Sequence, residues 1–219
     1  MDLFKYQDKK YKEFNDKIIN QNKYPTIGIR IPTLRLLARE EAKNDYLSYI
    51  NNKHTYYEEY MIMGLIIGYI KVDFKTRLEL LDKYVPYIED WALSDIVASN
   101  LKCFKNNLED GYLYINKLLK GSSFSIRFGL VLLLDYYIND EYIDKVYDII
   151  LNIDDNNYYV EMALAWLISV IYIKYKDTAI KLIKSDKLSK NVINKAISKI
   201  CDSYRVDNID KIDIKKYRR

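Results

Sequence analysis

The sequence repeats itself with a period of 34 residues, and this period limits what the chain can fold into. The aligned segments follow one another without a gap, and a weaker one precedes them around Asn22. They cover residues 56–71, 90–105, 124–139 and 158–173, and a fifth begins at Val192. A period of roughly 20 to 50 residues is typical of repeat architectures, in which neighbouring units complete one another's core.

Each repeat contains two kinds of helical pattern. The aligned segments are almost wholly apolar, as in YYEEYMIMGLIIGYI and YYVEMALAWLISVIYI, which predicts buried inner helices. The stretches between them, such as TRLELLDKYVPYI and IDKVYDIILNI, carry apolar residues at three- and four-residue spacing, which predicts amphipathic outer helices. The chain has only 3 prolines and 6 glycines, whereas an all-β protein needs many tight turns. We therefore predict an all-α protein.

Two helices per repeat, with no linker between repeats, predict a single right-handed α-solenoid of about six HEAT-like helical pairs. We expect one domain over residues 1–219, with an N-terminal helix over about residues 7–20 and a basic C-terminal tail over residues 211–219. The apolar residues of the inner helices should lie between helices. Those that we predict to be buried are Leu65, Leu130, Leu132, Leu164 and Ile168.

The composition excludes several classes of protein. Cys103, Cys201 and the single histidine, His54, lack the partners that a zinc site or Cys/His catalysis requires, so we expect neither metal nor cofactor. The longest nearly apolar run, residues 162–173, would span about 18 Å as a helix, short of the ~30 Å hydrocarbon core. The N-terminus has no apolar signal segment. We therefore expect a protein of the bacterial cytoplasm or nucleoid, without membrane contact.

Several short segments carry a family resemblance. IGIRIPTLRLLAREEAK, residues 27–43, places Gly28 and Pro32 just before a helix, and EDWALSD, SIRFG and EMALAW follow in that order. SYRV, residues 203–206, ends the series. Together they resemble the HEAT-like repeat DNA glycosylases of the AlkD family, which are DNA alkylation repair enzymes, over about residues 11–205. The resemblance implies a helical-repeat fold and the hydrolysis of N-glycosidic bonds of alkylated purines.

The resemblance also implies site residues. The family's Trp-x-x-x-Asp pair falls on Trp91 and Asp95, its arginine on Arg127 and its second tryptophan on Trp166. Asp95 would be catalytic and the other three would contact DNA. Trp91, Asp95 and Trp166 also stand at the second, sixth and ninth positions of their repeats, within about 60° of one another on a helix. Arg127 stands at the fourth position, so its place on that surface depends on the resemblance alone.

Each of these residues also has a plain structural interpretation. Asp95 could be an exposed or locally hydrogen-bonded carboxylate, and both tryptophans, Trp91 and Trp166, could serve core packing. Arg127 could be a solvated surface cation. His54 is most simply a loop residue before a helix, and we assign it no role.

The implied chemistry is simple. A purine alkylated at N3 or N7 is already cationic, so its glycosidic bond can break without a general acid. A carboxylate such as Asp95 could then stabilise the oxocarbenium ion of the sugar and orient the attacking water. Resemblance to this family implies recognition from the DNA backbone side, without a deep pocket for a flipped base.

The net charge permits contact with a polyanion but does not require it. The net charge is +4, and we expect weak, salt-sensitive binding of duplex DNA with alkylated purine lesions by a monomer. Arg30 and Arg35 are candidate DNA contacts. The basic tail supplies Lys215, Lys216, Arg218 and Arg219, although such a tail is often only a frayed, solvated terminus.

The N-terminal region departs from the family pattern. Where the family has a DNA-contacting tyrosine, this chain has Ile18, Ile19 or Asn20, and Arg30 replaces a polar uncharged residue. Two hypotheses therefore stay open. The first is a glycosylase that excises alkylated purines, and the second is a non-catalytic HEAT-like module that binds DNA or a protein through its concave face.

Overall fold

The computed structural model describes residues 2–19 and 23–219. These residues form thirteen α-helices and three short 3-10 helices, and no strand occurs among them. The prediction of an all-α protein is confirmed. The single right-handed solenoid and the single domain stay predictions. The repeat window around Asn22, and Asn20 itself, lie outside the described residues.

The chain divides into two compact units, Met1–Asp110 and Gly111–Arg219. The α-helices of the first unit are α1 (Lys9–Asn15), α2 (Ile31–Glu41), α3 (Tyr46–Asn51), α4 (Tyr57–Tyr69), α5 (Phe74–Tyr84) and α6 (Trp91–Ala98). Its 3-10 helices are Phe4–Tyr6, Val85–Tyr87 and Lys102–Asn106. Helix α7 (Leu108–Leu118) crosses the boundary. The second unit continues with α8 (Ser123–Tyr136), α9 (Ile143–Asn152), α10 (Tyr158–Lys174), α11 (Lys176–Lys184), α12 (Lys190–Asp202) and α13 (Asn208–Lys215).

The apolar segments of the repeat are inner helices, as predicted. Helices α4, α8 and α10 are buried on nearly all sides, whereas α5, α7, α9 and α11 each bury one stripe of apolar residues. In the first unit α4 packs against α2, α5 and α6, and in the second α10 packs against α8, α11 and α12. The predicted core residues are each at most 3 % exposed: Leu65, Leu130, Leu132, Leu164 and Ile168.

Side-chain caps mark the starts of several of these helices. The Asp73 carboxylate accepts a hydrogen bond from the backbone N–H of Thr76 at the start of α5. Ser122 caps α8 in the same way, and Ser189 caps α12. Such caps satisfy N–H groups that have no partner within the helix. The caps therefore help to fix where these helices begin.

Both ends of the chain differ in detail from the expected boundaries. Helix α1 is shorter than the predicted helix over about residues 7–20, because it ends at Asn15 and a turn follows. At the other end the chain forms α13 rather than a frayed tail. The Arg219 guanidinium donates to the carbonyls of Ile183 and Ser185, and Arg218 donates to the Ser198 hydroxyl. These contacts hold the basic C-terminus against its own unit.

Within the ranges 2–19 and 23–219, no helix combines the length and the apolar character that crossing a membrane requires.

Replacing Leu132 tests the assignment of α8 as an inner helix. Leu132 is fully buried, so Leu132→Ala should lower the free energy of unfolding by about 2–5 kcal/mol, measured by urea titration. Leu113 on α7 is 63 % exposed, and Leu113→Ala should cost less than about 0.5 kcal/mol. Equal losses in the two variants would contradict the assignment.

Candidate functional site

Helix α6 positions two of the predicted site residues, Trp91 and Asp95. Its first turn is anchored by Asp90, whose carboxylate is 1 % exposed and accepts hydrogen bonds from the Ala92 N–H at 2.7 Å and the Tyr57 hydroxyl at 3.2 Å. Burial, together with the negative charge of Asp90, raises the pKa of Tyr57, so this hydroxyl keeps its proton. The start of α6 is thereby tied to the start of α4.

Only one edge of α6 is open to solvent. Trp91, Asp95 and Ile96 are half-buried, whereas the rest of the helix is buried. Trp91 and Asp95 lie four residues apart, so they are neighbours on the helix surface. The structure therefore presents the predicted carboxylate and tryptophan side by side.

The N-terminal segment lies against Trp91. The indole Nε1–H donates to the Ile18 carbonyl at 2.9 Å, and residues of α1, α2, α4 and α6 line a cavity of about 90 Å³. Tyr11, Phe14 and Trp91 all line this cavity, and Phe14 is 60 % exposed. Aromatic side chains thus stand beside Trp91 although positions 18 and 19 are isoleucines. Sequence reasoning missed them because it compared single positions rather than neighbours in space.

Glu58 is a second polar residue that sequence reasoning missed. It is 1 % exposed in α4, and its carboxylate accepts backbone N–H bonds from Ile27 at 2.9 Å, Gly28 at 2.7 Å and Ile29 at 3.3 Å. Three donors compensate a charge that would otherwise be costly to bury. The available signal was an acidic residue inside an otherwise apolar run.

The same contacts explain Gly28. Its φ is +92°, a backbone conformation that residues other than glycine rarely adopt. A Cβ at this position would lie 2.4 Å from the Cβ of Lys12 on α1. Gly28 therefore allows three consecutive N–H groups to converge on Glu58 while α1 packs closely on the loop.

The two candidate arginines of the first unit are already engaged. The Arg30 Nε–H donates to the Asp8 carboxylate at 2.9 Å, and its guanidinium lies 5.1 Å from the Tyr11 ring centre. A backbone N–H from Tyr11, together with Arg30, lowers the pKa of Asp8. Arg35 is half-buried and donates to the Asn100 side-chain oxygen at 3.2 Å. Arg30 is thus the more exposed of the two cations.

In the second unit, Arg127 is not the solvated surface cation that its residue type suggests. It is 6 % exposed on α8, and its Nη1 donates to the Tyr159 carbonyl at 2.7 Å. Trp166 lies on α10 and is half-buried, like Trp91. Both tryptophans therefore keep part of their rings accessible.

A protein-family model matches most of the chain. The model described as "DNA alkylation repair enzyme" matches residues 2–200 and so includes all four predicted site residues: Trp91, Asp95, Arg127 and Trp166. The chain belongs to the DNA alkylation repair enzyme family. No curated protein and no solved structure matches the chain. Membership of this family gives the protein a role in DNA repair and implies DNA as its substrate.

The histidine and the cysteines lie outside the predicted site positions. Within the described ranges, no three histidine, cysteine or acidic side chains are grouped so that they could hold a metal ion. Burial raises the pKa of the Cys103 thiol.

His54 precedes α4 in a loop, as predicted, but it is buried, and its ring lies 4.7 Å from that of Tyr49. Burial lowers the pKa of His54, so the ring is neutral at pH 7.

The Glu58 contacts can be tested by changing one atom of the side chain. Glu58→Gln removes the charge and replaces one acceptor oxygen by an NH2 group that faces N–H donors, so we expect a loss of at least about 2 kcal/mol in the free energy of unfolding. This loss in the free energy of unfolding is measured by urea titration. Glu79→Gln, at an exposed position of α5, should change stability by less than about 0.5 kcal/mol. A Glu58→Gln variant as stable as wild type would show that the three bonds contribute little.

The single histidine gives a pH test. Because folding lowers the pKa of His54, the unfolded state binds the proton more tightly, and stability should fall as the pH drops below about 6.5. The slope should be at most about 1.4 kcal/mol per pH unit. His54→Phe keeps an aromatic ring and should abolish this slope in unfolding titrations between about pH 7.5 and 5.5. If the pH slope of stability is unchanged in His54→Phe, other titrating groups cause the pH dependence.

Proposed function

We propose that this protein is an alkylpurine DNA glycosylase that hydrolyses the N-glycosidic bond of cationic N3- or N7-alkylated purines in duplex DNA. Family membership supports a DNA repair role. The excision reaction is supported by one observation above all, the half-buried carboxylate of Asp95 one helical turn from Trp91 on the open edge of α6.

The position of Asp95 suits electrostatic catalysis. Helix α6 is buried except along this edge, and its start is held by Asp90, so the carboxylate stands on a rigid support. A charged group that is already oriented stabilises a transition state without reorganisation during the reaction. Half-burial also keeps the charge less screened than it would be at an open surface.

The reaction needs no protonation of the base. The bond between C1′ and the purine nitrogen breaks, its electron pair neutralises the cationic base, and the sugar becomes an oxocarbenium ion. Asp95 stabilises this cation and orients a water, which bonds to C1′ and loses a proton. Trp91 and Trp166 would pack against deoxyribose and backbone near the lesion.

The arginines take part in this proposal as DNA contacts. Arg127 is assigned to a phosphate by the family resemblance, and the Tyr159 carbonyl orients its guanidinium. Since Arg127 is only 6 % exposed, its phosphate contact involves a small part of the side chain. On DNA binding, the Arg30 guanidinium would contact a phosphate either in place of the Asp8 carboxylate or together with it. Arg35 would contribute chiefly through its charge.

Asp95→Asn tests the catalytic assignment. The substitution should preserve the fold and DNA affinity but slow excision about a hundredfold or more, which corresponds to about 2.7 kcal/mol of transition-state stabilisation. The measurement is single-turnover release of 7-methylguanine from methylated duplex DNA. Asp148→Asn, which removes an exposed carboxylate from outer helix α9, should leave the rate unchanged.

Two outcomes would contradict the proposal in different ways. If wild-type protein at micromolar concentration releases no alkylpurine over hours, the protein is not a glycosylase, and the non-catalytic binding module is the remaining hypothesis. If wild type and Asp95→Asn are equally active, the reaction stands but the carboxylate assignment is wrong.

A further inference from the structure

A groove crosses the second unit beside Trp166. Its floor consists of one face of α10, where Trp166, Val170 and Ile173 follow at helical spacing, and its volume is about 280 Å³. Its rim comes from the end of α12 and the loop after it, which supply Lys199 and Arg205. The groove therefore combines an apolar floor with a cationic rim.

Arg205 differs from every other arginine of the chain. Its guanidinium is exposed and makes no hydrogen bond, ion pair or ring contact with any described residue, whereas each of the others makes at least one. Its backbone is nevertheless held, because the Arg205 N–H donates to the Ser203 hydroxyl oxygen at 3.2 Å. An anchored arginine with an open guanidinium is suited to a phosphate, which it can bind with two parallel hydrogen bonds.

An exposed aromatic residue stands next to this arginine. Tyr204 is fully exposed, with a relative accessibility of 103 %, so folding buries none of its ring. Tyr204 lies between two lining residues of the groove, Ser203 and Arg205, and Trp166 itself lines the groove. Sugar rings and bases pack against such surfaces, while phosphates bind cations. An aromatic ring and a cation in the same groove, Trp166 and Arg205, therefore suit the sugar and the phosphate of a DNA strand.

The groove also contains one negative charge. Asp202 is exposed at the end of α12 and lines the same groove as Lys199 and Arg205. A carboxylate weakens the attraction of a phosphate by like-charge repulsion. Its removal therefore has an effect of opposite sign to that of removing Arg205, which gives a test that general damage to the fold cannot imitate.

We propose that this groove binds the sugar-phosphate backbone of one strand of duplex DNA, with Arg205 as its main phosphate ligand and Lys199 as a second cation. This inference rests on the proposed function, because it takes DNA as the ligand. It adds contacts beyond the positions that the family resemblance assigns.

The first test is the salt dependence of duplex binding, measured by fluorescence anisotropy with unmodified DNA. Arg205→Ala should weaken binding several-fold at about 50 mM salt and reduce the slope of log affinity against log salt by about 0.9, the contribution of one phosphate contact. Arg205→Lys should retain most of the slope. Asp202→Asn should strengthen binding. Lys181→Ala, which removes an exposed charge from outer helix α11, is the matched control and should have a smaller effect than Arg205→Ala.

A second measurement uses tryptophan fluorescence. In a Trp91→Phe background Trp166 is the remaining tryptophan, since the chain has 2. Saturating duplex DNA should shift its emission and reduce its quenching by acrylamide. Adding Arg205→Ala should raise the DNA concentration that is needed for this change.

The outcomes separate this inference from the proposed function. If wild type binds and excises but Arg205→Ala and Asp202→Asn bind like wild type, the groove is not a DNA contact and the glycosylase proposal is unaffected. An unchanged Trp166 signal at saturating DNA would also contradict DNA binding in the groove. If wild type binds no duplex DNA, the groove inference and the proposed function both fail.

Discussion

The buried carboxylate of Glu58 is the interaction on which the first unit depends. It collects three backbone N–H groups from residues 27–29, which would otherwise be buried without partners next to α1 and α2. The preceding residue, Tyr57, reaches Asp90 at the start of α6. Two successive side chains at the start of α4 thus hold the loop before α2 on one side and the candidate site helix on the other.

This arrangement explains why an otherwise apolar repeat helix contains a buried carboxylate. Glu58 could be replaced by an apolar residue only if the N–H groups of Ile27, Gly28 and Ile29 found other acceptors. Gly28 is required for the same reason, because only a residue without Cβ brings these groups together so close to Lys12. Through the Tyr57–Asp90 hydrogen bond, the start of α4 also holds the start of α6. The proposed catalysis requires this support, because Asp95 on α6 must stay oriented towards the sugar.

The second unit offers a different kind of chemistry. Its inner helices carry a buried arginine, Arg127, and a half-buried tryptophan, Trp166, whereas the exposed arginine Arg205 lies in the loop after α12. Loops place polar groups where helix packing does not constrain them, so binding residues are common there. In the proposed function the second unit contributes Arg127 and Trp166 as contacts to the DNA backbone.

The sequence by itself determined the helices, the family and the pairing of Trp91 with Asp95. The helices and the pairing follow from local properties: the repeat period sets where apolar runs recur, and a spacing of four residues places two side chains on one face of any helix. The family follows from the resemblance of short segments in a fixed order. Only the tertiary structure decided the partners of Glu58, the burial of Arg127 and the open guanidinium of Arg205. Glu58 bonds to groups about 30 residues earlier, and Arg127 bonds to Tyr159, 32 residues later. Burial and hydrogen bonding depend on which distant segments meet in space, and a local pattern does not contain that information.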